Sequence, residues 1–176
     1  MRIQSESIVR HPRERVFKAY RDELPEIAAY MSDIREIRIV NRAESGDLTS
    51  LHNVWVAHRE IPAFARNILK PEMLQWDDHA EWDENQWTCN WKLATRVFTD
   101  SVDCGGSNSF LAVDETTTRV VLEGHLEIEL HQVPGVPRLL AGKIAPKVEA
   151  FIVSLITPNL KEVNKSLEAY LDAKVR

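Results

Sequence analysis

Residues 11–24 read HPRERVFKAYRDEL, and they follow a strand-like segment at the start of the chain. Proline is favoured in the first turn of a helix, and Val16, Phe17 and Tyr20 have the three-and-four spacing of one apolar helical face. The stretch therefore predicts an amphipathic helix that is opened by His11-Pro12.

Outward from this helix, the pattern changes to strands and one more short helix. Residues 2–10 carry the apolar pair Ile8 and Val9 at the end of a predicted strand, and residues 24–31 predict a second short helix. Apolar and polar residues then alternate with the period of two that is typical of strands. The predicted strands flank a turn at Ser45-Gly46-Asp47 and continue at residues 73–83, 87–99, 101–113 and 118–131.

The C-terminal region, residues 137–174, has apolar residues at the spacing of one helix face. A straight helix of that length would measure about 57 Å, whereas a compact chain of this size has a diameter of about 40 Å. Pro146 and Pro158 each remove a backbone donor, and Thr157 is suited to cap a helix that restarts. The sequence therefore predicts a short helical piece followed by a long kinked helix.

The composition predicts that residues 1–176 form one globular domain. With 44% hydrophobic and 28% charged residues, the chain can form a substantial core and a charged surface. The apolar runs are far shorter than the roughly 18 residues that span a membrane, so no membrane span is predicted. No secretory signal is recognisable at the N-terminus, and a cytoplasmic location is therefore expected.

Several classes of function are excluded by charge and by missing motifs. A formal net charge of −5 argues against a nucleic-acid surface, which needs clustered Lys and Arg. Cys89 and Cys104 lack the CxxC spacing of a zinc knuckle and are expected to be free thiols. The chain has no GxSxG elbow, phosphate loop, HExxH pair or dinucleotide fingerprint, so no cofactor is predicted.

The order of elements resembles a known family. A strand, the P-x-x-x-V-F-x-A-x-x-D pattern of residues 12–22, a second short helix, six antiparallel strands and a long amphipathic helix are similar to the Bet v 1-like, START-like superfamily. The resemblance covers nearly the whole chain. It implies the α+β helix-grip fold, in which a curved seven-stranded antiparallel sheet wraps around a long kinked C-terminal helix, with two short helices after the first strand.

The resemblance also implies an apolar cavity that takes lipids, sterols, polyketides or other small hydrophobic molecules. Some relatives in the superfamily are cyclases or hydrolases, and others only bind a ligand or act as co-chaperones. The fold alone therefore does not select an activity.

Residues 75–91 read QWDDHAEWDENQWTCNW and predict a hairpin with a two-residue turn at Glu84-Asn85, which places Trp82 opposite Trp87. Strand alternation then separates two faces. One face carries tryptophans and a single acid: Trp76, Asp78, Trp82 and Trp91. The other face carries charge: Asp77, His79, Glu81 and Lys92.

The charged face has the side-chain types of a metal site, since Asp77, His79 and Glu81 occupy alternate positions of one strand. Lys92 lies on the same face and would repel a cation, and charged strand faces are usually just solvated. No metal site is therefore predicted.

The tryptophan face needs burial, because each indole hides on the order of 200 Å² and several exposed together would favour aggregation. Ordinary core packing and the wall of a ligand cavity both require such a surface. Asp78 is the outlier here, since a carboxylate among indoles must find a partner or have its pKa raised. Pairing with Arg96 or an indole N–H, or a place at the cavity rim, is favoured over catalysis.

Three functions follow from these observations. The preferred one is binding or transfer of a small hydrophobic ligand, because only one inward acid is identified. The rival is a cyclase-like or dehydratase-like enzyme in which Asp78, with Arg96 or His52, polarises a polyketide-like substrate. The third is a protein-interaction module with an exposed apolar patch. The predicted ligand-binding wall consists of Trp55, Trp76, Asp78, Trp82, Trp91, Phe110, Phe151 and Leu155.

The cavity is expected to open beside residues 61–69, IPAFARNIL, whose proline can start a short helix with Phe64, Ile68 and Leu69 on one side. We predict that this segment and the Pro134–Pro137 turn flank the mouth, with Phe64 and Ile68 resting on the ligand. An ordinary connection packed on the core is the alternative.

Two further features leave alternatives open. Gly105-Gly106 predicts either a bulge that bends the sheet, which is favoured, or a close approach of the backbone to another group. His52 and His58 share a strand face that is not assigned to either side of the sheet, whereas alternation over residues 119–131 places His125 outside.

Overall fold

Seven antiparallel strands form one curved sheet in the structure, a computed structural model that describes residues 1–130, 136 and 138–175. The strands are β1 (Arg2–Val9), β2 (Ile34–Ser45), β3 (Leu48–Ala57), β4 (Gln75–Asp83), β5 (Thr88–Thr95), β6 (Val102–Ala112) and β7 (Thr118–Ile128). Their order in the sheet is β1-β7-β6-β5-β4-β3-β2, so the first and last strands of the chain are neighbours. Of the predicted Pro134–Pro137 turn, only Val136 lies within the described residues.

The helices described are α1 (Arg13–Asp22), α2 (Leu24–Ile27) and α3 (Arg138–Lys174). Helix α1 buries Val16, Phe17 and Tyr20, the apolar face that its spacing predicts. The predicted second helix is split into α2 and a 3-10 turn at Ala28–Tyr30. The predicted α+β helix-grip fold is therefore confirmed.

Helix α3 contacts β1, β7 and both short helices, and the core lies between it and the sheet. Its inward face is formed by residues that are at most 1% exposed: Val148, Ile156, Val163 and Leu167. In β7, Val120 and Leu122 are buried and His125 is exposed, as alternation predicts. No helix in the described part of the chain is long and apolar enough to cross a membrane.

Helix α3 is one continuous helix, although two prolines lie inside it. The predicted restart at Thr157 does not occur, and Thr157 Oγ1 makes no hydrogen bond to any described residue. Pro158 has no N–H for the carbonyl oxygen of Ser154, and Arg59 Nη1 donates to that oxygen at 2.5 Å. A side chain from the connection after β3 thus replaces the missing helical hydrogen bond.

Glu23, at the junction of α1 and α2, connects both short helices to the end of α3. Its carboxylate accepts hydrogen bonds from Arg15 at 3.1 Å, from Lys174 Nζ at 2.7 Å and from the Tyr170 hydroxyl. The hydrogen bond from Arg15 is the strongest influence on the pKa of Glu23, and together these donors lower it to about 2 against the opposing effect of burial.

Candidate ligand-binding site

The β4–β5 hairpin has the predicted faces, but its register differs from the predicted one by two residues. Trp82 lies opposite Cys89 and not opposite Trp87, and Asp78 lies opposite Leu93. A shift of two residues keeps every side chain on its face, because strand side chains alternate with a period of two. The inner face of β4 is therefore the predicted one, and it is buried: Trp76, Asp78, Ala80 and Trp82.

The register error arises at the turn. Residues 84–87 form a four-residue loop, in which Asp83 Oδ1 accepts hydrogen bonds from two backbone N–H groups at 2.9 Å. Trp87 adopts a φ of 57°, its ring packs against Phe17, and the Arg13 guanidinium lies 4.2 Å from its centroid. With these contacts, Trp87 lies in the turn and does not pair with a residue of β4. The predicted two-residue turn is therefore wrong.

Trp91 lies against the backbone where Gly106 and Gly124 are paired. A Cβ atom at Gly106 would lie 2.6 Å from Trp91 Cζ2, and one at Gly124 would lie 2.9 Å from Trp91 Cη2. Pairing around Gly105-Gly106 is regular on both sides, so the favoured bulge is wrong and the close approach is confirmed. The indole is thereby placed so that its Nε1 donates to Asn108 Oδ1 at 3.2 Å.

Trp82 and Phe110 belong to an aromatic cluster with Phe17 and Tyr20. The Trp82 ring makes edge contacts with Phe17 at 5.1 Å and Tyr20 at 5.4 Å between centroids. Phe110 is fully buried and packs against Phe17 at 5.2 Å. Although predicted as a cavity residue, Phe110 is not among the residues that line the two cavities described below.

Asp78 is buried beside this cluster, with 7% of the residue exposed. Its Oδ2 accepts hydrogen bonds from Asn53 Nδ2 at 3.1 Å and from Trp55 Nε1 at 3.3 Å. The indole alternative for its partner is thus confirmed, and the Arg96 alternative is wrong. Burial raises the pKa of Asp78, and the two hydrogen bonds offset this effect only in part.

A polar cavity of about 30 Å³ lies beside Asp78. Three atoms of residues in its wall make no hydrogen bond to any described residue: Asn53 Oδ1, Asp78 Oδ1 and Trp82 Nε1. A buried polar atom without a partner costs about 1–3 kcal/mol, so the cavity needs water or a polar group of a ligand. The other wall residues are Tyr20, Leu24, Trp55, Ala80, Cys89, Trp91, Leu93, Asn108 and Leu160.

Asn53, Asn108 and Tyr20 are wall residues that the sequence did not assign to the site. Asn53 precedes Trp55 by two residues in β3, and Asn108 precedes Phe110 by two in β6, so alternation was the signal that could have found both. Tyr20 was assigned only to the apolar face of α1. It reaches the cavity because α1 packs against the sheet.

A second, apolar cavity of about 30 Å³ lies between β4 and α3. The predicted residues Trp76, Phe151 and Leu155 line it together with Leu69. Trp55 lines the polar cavity and Trp76 lines the apolar one, and the rings of these two residues stack with centroids 5.9 Å apart. Each cavity is far below the roughly 300 Å³ that a drug-sized ligand needs.

The connection from β3 to β4 does not contain the short helix predicted over residues 61–69. Residues 61–69 contain only a 3-10 turn at Ala63–Ala65, and a second 3-10 turn follows at Pro71–Met73. Leu69 is buried, Ile68 is half-buried against the core, and Phe64 is 38% exposed. Phe64 and Ile68 are not among the residues that line either cavity in this structure.

The charged outer face of the hairpin holds a network of ion pairs. Asp77 accepts hydrogen bonds from Arg96 at 3.0 and 3.1 Å, and His52 Nε2 lies 2.7 Å from its Oδ1. His52 stacks on His79 with centroids 4.4 Å apart, which assigns His52 to the outer face. Burial opposes ionisation of Asp77, but these partners lower its pKa overall. Arg96 and His52 therefore lie across the sheet from Asp78.

The remaining histidine, acidic and cysteine candidates are either exposed or chemically unreactive. His58 and Glu81 are exposed. Within the described part of the chain, no three His, Cys, Asp or Glu side chains converge as metal ligands. Cys89 and Cys104 are buried free thiols, and burial raises the pKa of Cys104 to about 12. A thiol in such surroundings is a poor nucleophile.

Comparison with known proteins shows similarity at the level of structure. No protein-family model and no curated protein sequence matches the chain. TTHA0849 from Thermus thermophilus matches with a TM-score of 0.68 and 22% identity, covering 100% of both chains. The Zhui aromatase/cyclase from a Streptomyces species matches at 0.65 with 13% identity, covering 100% of this chain and 96% of that one. Ara h 8.0201 matches at 0.55 with 14% identity and 98% coverage of each chain. At these identities the similarity shows a shared fold.

Proposed function

We propose that this chain, which has the helix-grip fold of the Bet v 1-like and START-like proteins, binds a small hydrophobic ligand between its sheet and α3. The observation that supports this most directly is the polar pair of Asp78 and Asn53, buried in an aromatic interior beside a cavity. A cytoplasmic location is part of the same proposal and agrees with the two free thiols.

If the interior served only to stabilise the fold, an apolar residue at position 78 would make the protein more stable than Asp78 does. A buried carboxyl group with one unpaired oxygen costs free energy, and apolar replacements of buried polar groups are often neutral or stabilising. Small-molecule sites combine apolar walls with a few polar groups that orient the ligand. Trp55 and Trp91 supply such walls here, and Asp78 and Asn53 supply the polar groups.

Ligand uptake requires the interior to widen, because the closed structure has cavities of only about 30 Å³. Separation of the Trp55–Trp76 stack would join the two cavities. Residues 61–69 form the lid in this proposal, since Leu69 covers the apolar cavity from that connection. Arg59, just before the lid, bonds the carbonyl of Ser154 in α3 and holds the connection in the closed position.

Native mass spectrometry of the protein as purified tests the proposal. We expect an added mass of a few hundred daltons, the size of a ligand that fills a cavity of the usual volume. Tryptophan emission should shift when this ligand is extracted and added back, because four indoles line the cavities: Trp55, Trp76, Trp82 and Trp91. A protein without added mass, whose tryptophan emission no apolar probe changes, would refute the proposal and favour the protein-interaction alternative.

The lid is tested with Phe64→Ala combined with Ile68→Ala, which should speed ligand release without unfolding the domain. Val40→Ala combined with Val113→Ala is the matched control, because both valines are exposed and lie outside this connection. Release rates are measured by the recovery of tryptophan emission after dilution. Equal rates in the two double variants would show that residues 61–69 are an ordinary connection.

A cyclase-like or dehydratase-like enzyme is the second candidate, because the raised pKa of Asp78 favours the protonated form that a general acid requires. Binding without catalysis is preferred because the polar cavity has no Lys, Arg or His among its described wall residues. Asp78→Asn should therefore change ligand affinity or stability and leave any chemical rate unchanged. Loss of a measurable turnover, with binding and fold intact, would favour the enzyme.

A further inference from the structure

The polar cavity presents an unequal set of unpaired atoms. Asn53 Oδ1 is an acceptor and Trp82 Nε1 is a donor, whereas Asp78 Oδ1 accepts when the carboxyl group is ionised and can donate when it is protonated. None of the three atoms has a partner among the described residues. All three side chains line the same cavity, and each residue is at most 7% exposed. Since bulk water does not reach these atoms, their partner must be a molecule held inside the protein.

A hydroxyl group matches this set better than other small polar groups. It donates one hydrogen bond and accepts up to two, so it can donate to Asn53 Oδ1 while it accepts from Trp82 Nε1, and it can also accept from Asp78 when that carboxyl group is protonated. A carbonyl or ether oxygen only accepts, and it would leave the amide oxygen of Asn53 unpaired. A carboxylate would bring a second acid next to Asp78, which is unfavourable in a buried site.

We infer that the ligand is a hydroxyl-bearing molecule with an apolar ring skeleton, and that Asn53, Asp78 and Trp82 bind its hydroxyl group. This inference rests on the proposed function and names the class of ligand for the same site. The ring skeleton follows from the wall around the polar atoms, where Trp55 and Trp91 present indole surfaces.

Water and ligand occupy the polar cavity in turn. About 30 Å³ is enough for one or two water molecules, which can bond the unpaired atoms while the interior is closed. A ligand hydroxyl that displaces this water restores the hydrogen bonds, whereas the corresponding methyl ether displaces the water, can only accept from Trp82, and leaves Asn53 Oδ1 unpaired. A site of this kind therefore discriminates against the ether.

The test compares 2-naphthol with 2-methoxynaphthalene, which keeps the ring system and removes the hydroxyl donor. Dissociation constants are measured by isothermal titration calorimetry on the full chain, after extraction of any bound ligand. We expect 2-naphthol to bind at least about tenfold more tightly.

Two variants locate the source of this preference. Trp82→Phe removes the unpaired donor and keeps an aromatic ring, and Asn53→Ala removes one unpaired acceptor. Asn53→Ala should reduce the tenfold ratio toward one. Trp82→Phe should weaken the binding of both compounds, because the hydroxyl and the ether oxygen can each accept from Trp82 Nε1. Asn90→Ala is the matched control, because Asn90 is exposed on the outer face of β5, and it should leave the ratio unchanged. Thermal unfolding by circular dichroism confirms that each variant is folded.

The outcomes separate the inference from the proposed function. If 2-naphthol and 2-methoxynaphthalene bind with equal affinity, the site does not distinguish a hydroxyl from an ether. The inference about the hydroxyl then fails, and the proposal that the protein binds a ligand is unaffected. If the preference persists in Asn53→Ala and Trp82→Phe weakens the binding of neither compound, the hydroxyl is bound elsewhere and the inference also fails. If neither compound binds and the purified protein carries no added mass, the proposed function fails together with the inference.

Discussion

Substitution of Gly106 by alanine tests how Trp91 is held in the wall of the polar cavity. The added Cβ would lie 2.3 Å from the carbonyl oxygen of Glu123, 2.7 Å from Gly124 Cα and 2.6 Å from Trp91 Cζ2. Two of these atoms belong to the backbone of the neighbouring strand and cannot rotate away. Overpacking of this kind costs about 1–3 kcal/mol, and a displaced Trp91 also loses its hydrogen bond to Asn108, worth about 1 kcal/mol. We expect Gly106→Ala to lower the free energy of unfolding by about 2–4 kcal/mol.

Urea unfolding and thermal melts followed by circular dichroism measure this effect. For a chain of this length, a loss of about 3 kcal/mol corresponds to a fall in Tm of roughly 6–12 °C. Gly142→Ala is the control, because a Cβ there meets no heavy atom within 4 Å and the site lies inside α3. That change should stabilise the protein by up to about 1 kcal/mol. A loss below about 0.5 kcal/mol in Gly106→Ala would refute the argument that the bare backbone fixes Trp91.

Glu23→Gln should lower the free energy of unfolding at pH 7 by about 1–2 kcal/mol, a value reduced for the partial exposure of the carboxylate. Because the pKa of Glu23 is about 2 in the folded protein and its usual value is 4.5, this contribution is complete above about pH 5 and disappears as the pH falls toward 2. Urea unfolding across that range should show the difference shrinking in acid, and a constant difference would contradict the prediction. Arg59→Ala should cost about 1 kcal/mol, since the carbonyl of Ser154 loses its donor. The cost should be smaller in a Pro158→Ala background, which restores the helical N–H; equal costs in a double-mutant cycle would show that Arg59 does not replace it.

The sequence alone determined which side of the sheet each residue of β4 occupies. Alternation placed Trp76, Asp78 and Trp82 inward and Asp77 and His79 outward, and the structure has the same faces. This prediction survived the two-residue error in register, because the direction of a side chain depends on its position along its own strand. The order of strands and helices followed from the same local periodicities, and the resemblance of that order to the Bet v 1-like, START-like superfamily implied the helix-grip fold.

Hydrogen-bond partners and cavity size were decided only by the tertiary structure. Asn53 and Trp55, the partners of Asp78, lie in β3, and Arg59 bonds Ser154 from 95 residues away in the chain. Such pairs depend on how strands are staggered and where a connection docks, and no pattern of neighbouring residues encodes either. The volume of a cavity is the difference between the space that the sheet and α3 enclose and the summed volume of the side chains that fill it. The sequence therefore identified the tryptophans of the inner sheet face. The size of the cavities beside them, about 30 Å³ each, depends on how all the neighbouring side chains pack.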